Sequence, residues 1–334
     1  MGCAVWFGSI SSVSLDCRLY NAAVLVLHFP GEAAVPDPAQ PAELALVVIN
    51  FDSGDHLRNC ITHLCAAAAG ISVQIVVVDN ASTDGSRDGV QDIDPRVTVL
   101  ENTVNVGYGR ACNQGFRSTN APFVWFLNPD IVPDADSLAK MLAAIAGRPD
   151  AGVMGPRLLN PDGTTYPSCR VVPKIGVAVG HAVFGLFSDK NRFTRAYKLL
   201  DVSHDSEQEV DWVSGAAMLI RREAFQQVGG FDEGFFMYVE DLDLCSRIKD
   251  AGWKNIYYPG AQMLHYVAGS SRRHPYKMIR HHHFSLIRFA ARRLKGPLKV
   301  FVPAVAAGLI ARMLLVWGEL FFRKGSRRAN SSTA

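Results

Sequence analysis

An α/β fold with an open, mostly parallel sheet flanked by helices follows from three observations in the sequence. Short, continuously apolar runs rich in valine and isoleucine recur, helical patterns of apolar residues follow them, and polar or acidic residues stand at the carboxyl ends of the runs. Leu44 to Ile49 is the first run, bounded by Asn50 and Ser53-Gly54, and a helical pattern through Leu57, Ile61 and Leu64 comes after it. Val73 to Val78 repeats the unit, residues 96–100 form a third strand and 121–127 a fourth, with helical segments near 113–118 and 137–146. Ligands of such sheets sit beyond the carboxyl ends of the strands, so Asn50, Asp79, Asn105 and Asp130 are expected to meet in one crevice.

The second half reads less regularly. Residues 210–220 form an apolar run with Gly215 inside, which is read as one strand with a close approach at the glycine. Short helices are expected over 221–228 and 241–251, and a strand over 252–258 that leads on to His265. Residues 170–208 fit no element and are read as an insertion.

The composition narrows the class. Of 334 residues 49% are apolar, enough to bury a full core, which excludes a disordered or collagen-like chain. The net charge of +3 is unevenly spread: residues 272–334 hold fourteen Lys or Arg against one acid, Glu319. Such a tail suits an anionic partner. The seven cysteines show no C-x-x-C pair and no zinc spacing, so a reducing, cytosolic setting is expected. Residues 1–42 read as an N-terminal extension without an assigned role, an apolar run lacking the basic start of a signal peptide and then a proline-rich linker.

The chemistry is carried by three acidic stations. Asp79 ends a hydrophobic strand and opens the run Asp79-Asn80-Ala81-Ser82-Thr83-Asp84; Asp130 ends another in Asn128-Pro129-Asp130; Glu240-Asp241-Leu242-Asp243 follows an aromatic run and opens a helix. Each has an ordinary structural explanation, since Asn, Pro and Asp favour turns and acids favour helix starts. Gly107-Tyr108-Gly109-Arg110-Ala111-Cys112 comes close to a dinucleotide fingerprint, but Cys112 stands where the third glycine belongs, and a dehydrogenase is rejected.

In order and spacing these stations, together with Asn105 to Gly115, Ser214-Gly215-Ala216 and the segment from His265 to Ser270, resemble the inverting family 2 glycosyltransferases of GT-A fold. Within them the likeness is to the bacterial rhamnosyltransferase-like branch, and it covers roughly residues 44–290. The family's metal motif is often Asp-x-Asp; here Asn128 replaces its first acid. The resemblance implies a nucleotide-sugar donor, dTDP-L-rhamnose, and a lipid-linked or cell-envelope glycan as acceptor. A non-catalytic sugar-nucleotide or glycan-binding subunit is the alternative.

The expected site can be assigned residue by residue. Asp241 is the general base, and Trp212 and Glu240 meet the acceptor. Asn50, Phe51, Asp79, Asn105, Gly107, Tyr108, Gly109 and Asn128 meet the donor, the glycines letting backbone approach it. Asp130 and His265 hold Mg2+ or Mn2+, which would offset charge on the departing diphosphate. Asp243 is read as a helix cap, and His281-His282-His283 as part of a solvated basic face.

The expected domains are the extension 1–42, a catalytic domain 43–290 with a nucleotide half 43–150 and an acceptor half 151–290, and a basic apolar tail 291–334. The stretch 298–322 is long enough to cross a bilayer, but Arg312 near its middle would cost roughly 2.5–3.5 kcal/mol there. An interfacial helix on an anionic membrane surface, at the cytoplasmic face of the cell membrane and with no nucleic acid involved, is therefore the expectation.

Overall fold

A computed structural model of the chain describes residues 42–170, 204–267 and 275–331, with 322–331 described by backbone alone. Most of the N-terminal extension, most of the unplaced 170–208 stretch and the end of the motif after His265 lie outside the described residues. The nucleotide half runs β1 Leu44–Asn50, α1 Asp55–Ala67, β2 Val73–Asp79, β3 Val97–Glu101, α2 Tyr108–Arg117, β4 Phe123–Leu127, β5 Ile131–Pro133 and α3 Ser137–Ala146. Next come β6 Ala151–Leu159, β7 Thr165–Tyr166, β8 Cys169–Arg170, β9 Gln208–Val210, β10 Trp212–Val213, β11 Ala217–Arg221, α4 Arg222–Gln227, α5 Glu240–Asp250 and β12 Lys254–His265. Helix α6 Pro275–Arg293, a 3-10 turn Gly296–Phe301 and α7 Val302–Ser331 complete it.

Among the described residues one sheet has the order β3-β2-β1-β4-β11-β6-β12-β5, with β7 beside β6 and β9 beside β12. The first four strands are parallel. β11 runs against both β4 and β6, β12 lies parallel to β6, and β5 runs against β12. Every residue of β1 is buried, and the strand feeds two cores: Leu44, Leu46 and Val48 pack on the α1 side with Leu57 and Ile61, whereas Ala45, Val47 and Ile49 face α2 with Phe116. Burial on both faces removes any reason for alternation, which is why these strands read as unbroken apolar runs. The register pairs Asn50 with Asp79 and Asp79 with Glu101, so the carboxyl ends form one level edge and the polar residues there become neighbours.

Helix α2 seats on this sheet through Gly115, where an added Cβ would lie 2.3 Å from Val47 Cγ1 and 3.2 Å from Val78 Cγ2. Gly115→Ala is expected to destabilise the fold by about 1–3 kcal/mol through overpacking, measured as a lowered midpoint in denaturant with unchanged slope.

Two elements depart from the sequence reading. Residues 210–220 are not one strand: β10 pairs with β8 in a separate ribbon, Ser214 to Ala216 form a turn, and only β11 joins the main sheet. Gly215 therefore sits in a turn, brought beside Asp241, instead of inside a strand. The histidine triplet is not a solvated face either. His281 stacks on Phe236 at 4.5 Å, His282 meets the edge of Tyr238 at 5.6 Å, and His283 is buried between α6 and α7, accepting from Arg312 Nη1 at 3.1 Å.

Arg312 is thus turned toward α6, and the outward side of α7 carries exposed Ile310, Leu314, Leu315 and Phe321. Gly296–Phe321, 26 residues with little burial, is long and apolar enough to cross a membrane.

Candidate active site

Two cavities open along the carboxyl edge of the sheet. The first, about 340 Å³, is walled by Phe51, Asn80, Asn105, Gly107, Asn128 and Asp130 among others, with Lys277 from α6 at its border. The second, about 330 Å³, is lined by Tyr166, Arg170, Trp212, Glu240, Asp241 and His282 among others. Tyr108, Asn128, Met237, Tyr238 and His265 line both, so the two spaces adjoin along this seam.

The seam is built by a loop held from two sides. Gly107 has φ +89°, and a Cβ there would fall 2.4 Å from Phe236 O, so only glycine lets the start of α2 dock against the loop; Tyr108 N donates to that carbonyl at 3.0 Å. Asn113 fastens the loop reciprocally, Nδ2 donating to Phe231 O at 2.9 Å and Oδ1 accepting from Phe231 N at 3.0 Å. On the other side α6 donates from Ser285 Oγ to Met237 O at 3.1 Å and from Arg288 to Asp232 at 2.9 Å, while Arg292 also pairs with Asp232. So restrained, the loop carries Tyr238 and Val239 at φ 67° and 71°. Left-handed backbone is costly for a β-branched residue, and such strain persists only where the surroundings over-determine it.

Immediately after the strained pair α5 begins, and with it the acids. Asp241 is half-buried; its Oδ2 accepts from Gly215 N at 3.0 Å and its Oδ1 from Leu242 N at 2.8 Å. Burial pushes its pKa up, while those backbone donors and the charge of Arg170 pull it back. Glu240 is buried, with Oε2 lacking a partner among the described residues, and its pKa is raised far above the carboxylate range by burial and then by the charge of Asp241. Two acids with different surroundings thus share one cavity: burial without a partner for Oε2 opposes the charged form of Glu240, whereas two backbone donors favour the charged form of Asp241.

A raised folded-state pKa makes this arrangement pH-sensitive. Below the unfolded carboxylate value both states are protonated and the full stability is present; as pH rises the unfolded state ionises first, and stability falls until the folded pKa is passed. Glu240→Gln imitates the neutral acid. It is expected to match the wild type near about pH 4 and to exceed it in melting temperature by a margin that widens toward about pH 7.

Asp243 caps nothing. It is buried inside α5, accepting from Arg247 Nε at 2.7 Å with Arg292 Nε at 3.6 Å, so it ties α5 to α6.

Asp130 and His265 are brought together by the pairing of β5 with β12, which sets His265 opposite Ile131; Nε2 lies 3.5 Å from Asp130 Oδ1 and both residues are buried. The His265 Nδ1 atom is buried without a partner among the described residues, and Tyr166 meets the ring edge-on at 4.9 Å. No cluster of three or more acids, histidines or cysteines able to hold a metal occurs among the described residues. One carboxylate and one imidazole at the wall of an open cavity fit a divalent cation that takes its other ligands from phosphate and water.

The expected donor residues divide. Phe51 is exposed at 37% and faces the first cavity, so it is not core; Asn105, Gly107, Tyr108 and Asn128 face it too. Asn50, Asp79 and Gly109 stand behind the wall instead. Asp79 is wholly buried, its oxygens taken by Asn50 Nδ2 at 2.7 Å, Ser82 Oγ at 2.6 Å, Ser82 N at 3.0 Å and Arg87 Nη1 at 3.4 Å. Asn50 is wholly buried with it, and Gly109 makes room for Phe231. Asn50 and Asp79 hold the loop that follows Asn80 through Ser82 and Ser86. The sequence reading missed Asn80, Lys277, Arg170, Tyr166 and His282. Asn80 was adjacent to a named residue and His282 belonged to the triplet read as a solvated face, whereas Lys277, Arg170 and Tyr166 reach the cavities only through tertiary packing and left no local signal.

Comparison with known proteins bears on the family and the fold. Residues 45–229 match the family described as Glycosyl transferase family 2, and residues 202–282 match the N-terminal domain of galactosyltransferase. The N-acetylglucosaminyl-diphospho-decaprenol L-rhamnosyltransferase of Mycobacterium tuberculosis is 38% identical over 264 residues, which are 76% of this chain and 85% of that protein. Rhamnosyltransferase WbbL of Escherichia coli is 29% identical over 193 residues, 58% of this chain and 69% of that one. In structure, mannosyltransferase PcManGT from Pyrobaculum calidifontis superimposes with a TM-score of 0.52 at 18% identity, covering 88% of this chain and 82% of that one, a likeness of fold. With the family pattern spanning more than half of its length and a 38% identical relative matched over most of both proteins, the chain belongs to glycosyl transferase family 2.

Proposed function

We propose that the protein transfers L-rhamnose from dTDP-L-rhamnose to a hydroxyl of an N-acetylglucosaminyl diphospho-lipid, with inversion at the anomeric carbon. The observation that carries this reading is the pair of adjoining cavities with Asp241 in one and the Asp130–His265 pair in the other. Its support on the substrate side is the 38% identical mycobacterial relative, whose name specifies L-rhamnosyl transfer to that acceptor class.

The chain's own residues then have these tasks. The first cavity takes the donor, with Phe51 offering a ring to the base and Asn80 and Asn105 offering amides. Lys277 at the border faces the diphosphate. The second cavity takes the acceptor sugar with its hydroxyl toward Asp241, which receives the proton as oxygen attacks the anomeric carbon and the diphosphate departs. Asp130 and His265 would hold Mg2+ or Mn2+, which when bound supplies positive charge against the departing phosphates. A single displacement needs no covalent enzyme intermediate. Incubating the full chain with dTDP-L-rhamnose, Mn2+ and the lipid-linked acceptor, and reading the anomeric configuration of the product by NMR, tests the proposal; a retained configuration or free rhamnose alone would refute it.

The apolar outer side of α7, followed by Arg323, Lys324, Arg327 and Arg328, suits the cytoplasmic face of a membrane where such an acceptor lies. The full chain is expected to sediment with anionic vesicles and to be released in part by high salt, and a chain ending after Leu294 is expected to stay in solution.

A further inference from the structure

We propose that Arg170 and His282 form a subsite for the diphosphate of the acceptor, so that the enzyme selects a sugar carried on a diphospho-lipid over the same sugar on an uncharged carrier. The inference rests on the glycosyl-transfer reading above and deepens it.

The electrostatic problem comes first. The second cavity holds Glu240 and Asp241, and an acceptor whose sugar is joined directly to a diphosphate brings anionic oxygens within one sugar ring of the base. Like charges at such range repel strongly wherever water is partly excluded, so a cavity built for this acceptor needs a fixed cation of its own. Among the described residues lining it, Arg170 is the one that is always charged. It lies close enough to Asp241 for its charge to favour the carboxylate form.

Arg170 is also well seated for the task. Its strand pairs with Trp212 across the β8–β10 ribbon, its carbonyl accepts from Asp211 N at 3.1 Å, and its guanidinium carbon lies 5.0 Å from the centre of the Trp212 ring. A guanidinium laid on an indole keeps its planar fork, the shape that meets two phosphate oxygens at once. The same tryptophan buries its Nε1 without a partner among the described residues, a donor of the type a phosphate oxygen accepts from. His282 adds an imidazole from α6, placed edge-on to Tyr238 at 5.6 Å on the cavity wall.

The donor's diphosphate is addressed elsewhere, by Lys277 and the Asp130–His265 pair of the first cavity. Two separate sets of groups let two diphosphates be held at once without being drawn together, which is the requirement peculiar to transfer between two diphosphate-linked sugars.

The test compares two synthetic acceptors with the same alkyl chain, one an N-acetylglucosaminyl diphospho-lipid and the other an N-acetylglucosaminyl alkyl glycoside. The full-length wild type, Arg170→Gln, Arg170→Lys and His282→Gln are assayed with dTDP-L-rhamnose. Expected are a wild-type preference in kcat/KM for the diphospho acceptor and a KM for it raised about 10–100-fold in Arg170→Gln. Unchanged donor KM, an unchanged KM for the alkyl glycoside with any loss there confined to kcat through the missing charge beside Asp241, and partial recovery in Arg170→Lys complete the expectation. His282→Gln should show the same split to a smaller extent, and it carries the test if Arg170→Gln fails to fold, seen as lost donor binding. Equal rises in KM for both acceptors, or no wild-type preference between them, would overturn the subsite while leaving glycosyl transfer standing. Absence of rhamnose transfer to either acceptor by wild type that binds donor would instead bring down the glycosyl-transfer reading, and the subsite with it.

Discussion

Asp241→Asn is expected to lower turnover by about 10² to 10⁴ while donor affinity stays within a small factor. The size follows from the role: an amide fills the same space but accepts no proton, so the attacking hydroxyl loses its base. The structure also separates this loss from misfolding. Both oxygens of Asp241 accept from backbone N–H groups, Gly215 on one and Leu242 on the other. An amide retains one acceptor and faces the second N–H with its own NH2, which should cost about 1–2 kcal/mol of stability. Thermal unfolding would therefore show a modest drop, and turnover measured well below the new midpoint a large one. Asp243→Asn supplies the contrast. It weakens the ties to Arg247 and Arg292 and is expected to lower stability without touching the proton transfer. Near-normal transfer by Asp241→Asn, with Glu240→Gln inactive, would show that the base had been misassigned.

Asp130→Ala is the second large effect. It removes the sole carboxylate of the pair and leaves His265 as a lone imidazole in a buried setting. Removing groups that merely orient metal ligands costs about 10–100-fold in metal affinity or activity, so loss of a ligand itself should exceed that. Calorimetric titration of dTDP-L-rhamnose with and without Mn2+ reads it directly: the Mn2+-dependent part of the affinity should vanish in Asp130→Ala. In His265→Ala the Mn2+ needed for half-maximal activity should rise. Undiminished wild-type activity in excess chelator would dispose of the metal role for both residues.

How much of this was legible in the sequence depends on what kind of contact made each feature. The β1-α1-β2 unit was readable because continuous burial on both faces leaves an unbroken apolar run, and the carboxyl-edge acids were readable because the runs end at them. The split of residues 210–220 was not, since a turn at Ser214 to Ala216 and a strand with an internal glycine have the same local composition. Asp79 was correctly placed at a strand end, yet nothing local said that Asn50, Ser82 and Arg87 would saturate it and leave Asn80 as the cavity wall. The histidines of α6 misled for a related reason. Helical geometry separates neighbouring side chains, and here each direction happened to hold a packing partner: Phe236, Tyr238 and Arg312.

Helix α6 also bears on where the chain divides. A boundary at residue 290 would pass through its last turn and remove Arg292, the cation that reaches both Asp232 on the loop and Asp243 on α5. It would also cut the closing backbone bond from Leu294 N to Ala290 O at 2.9 Å. A soluble fragment for crystallisation or screening should therefore keep everything through Leu294 and give up only the residues beyond it. A shorter fragment would retain all the acids of the two cavities and lose part of the brace that aims them.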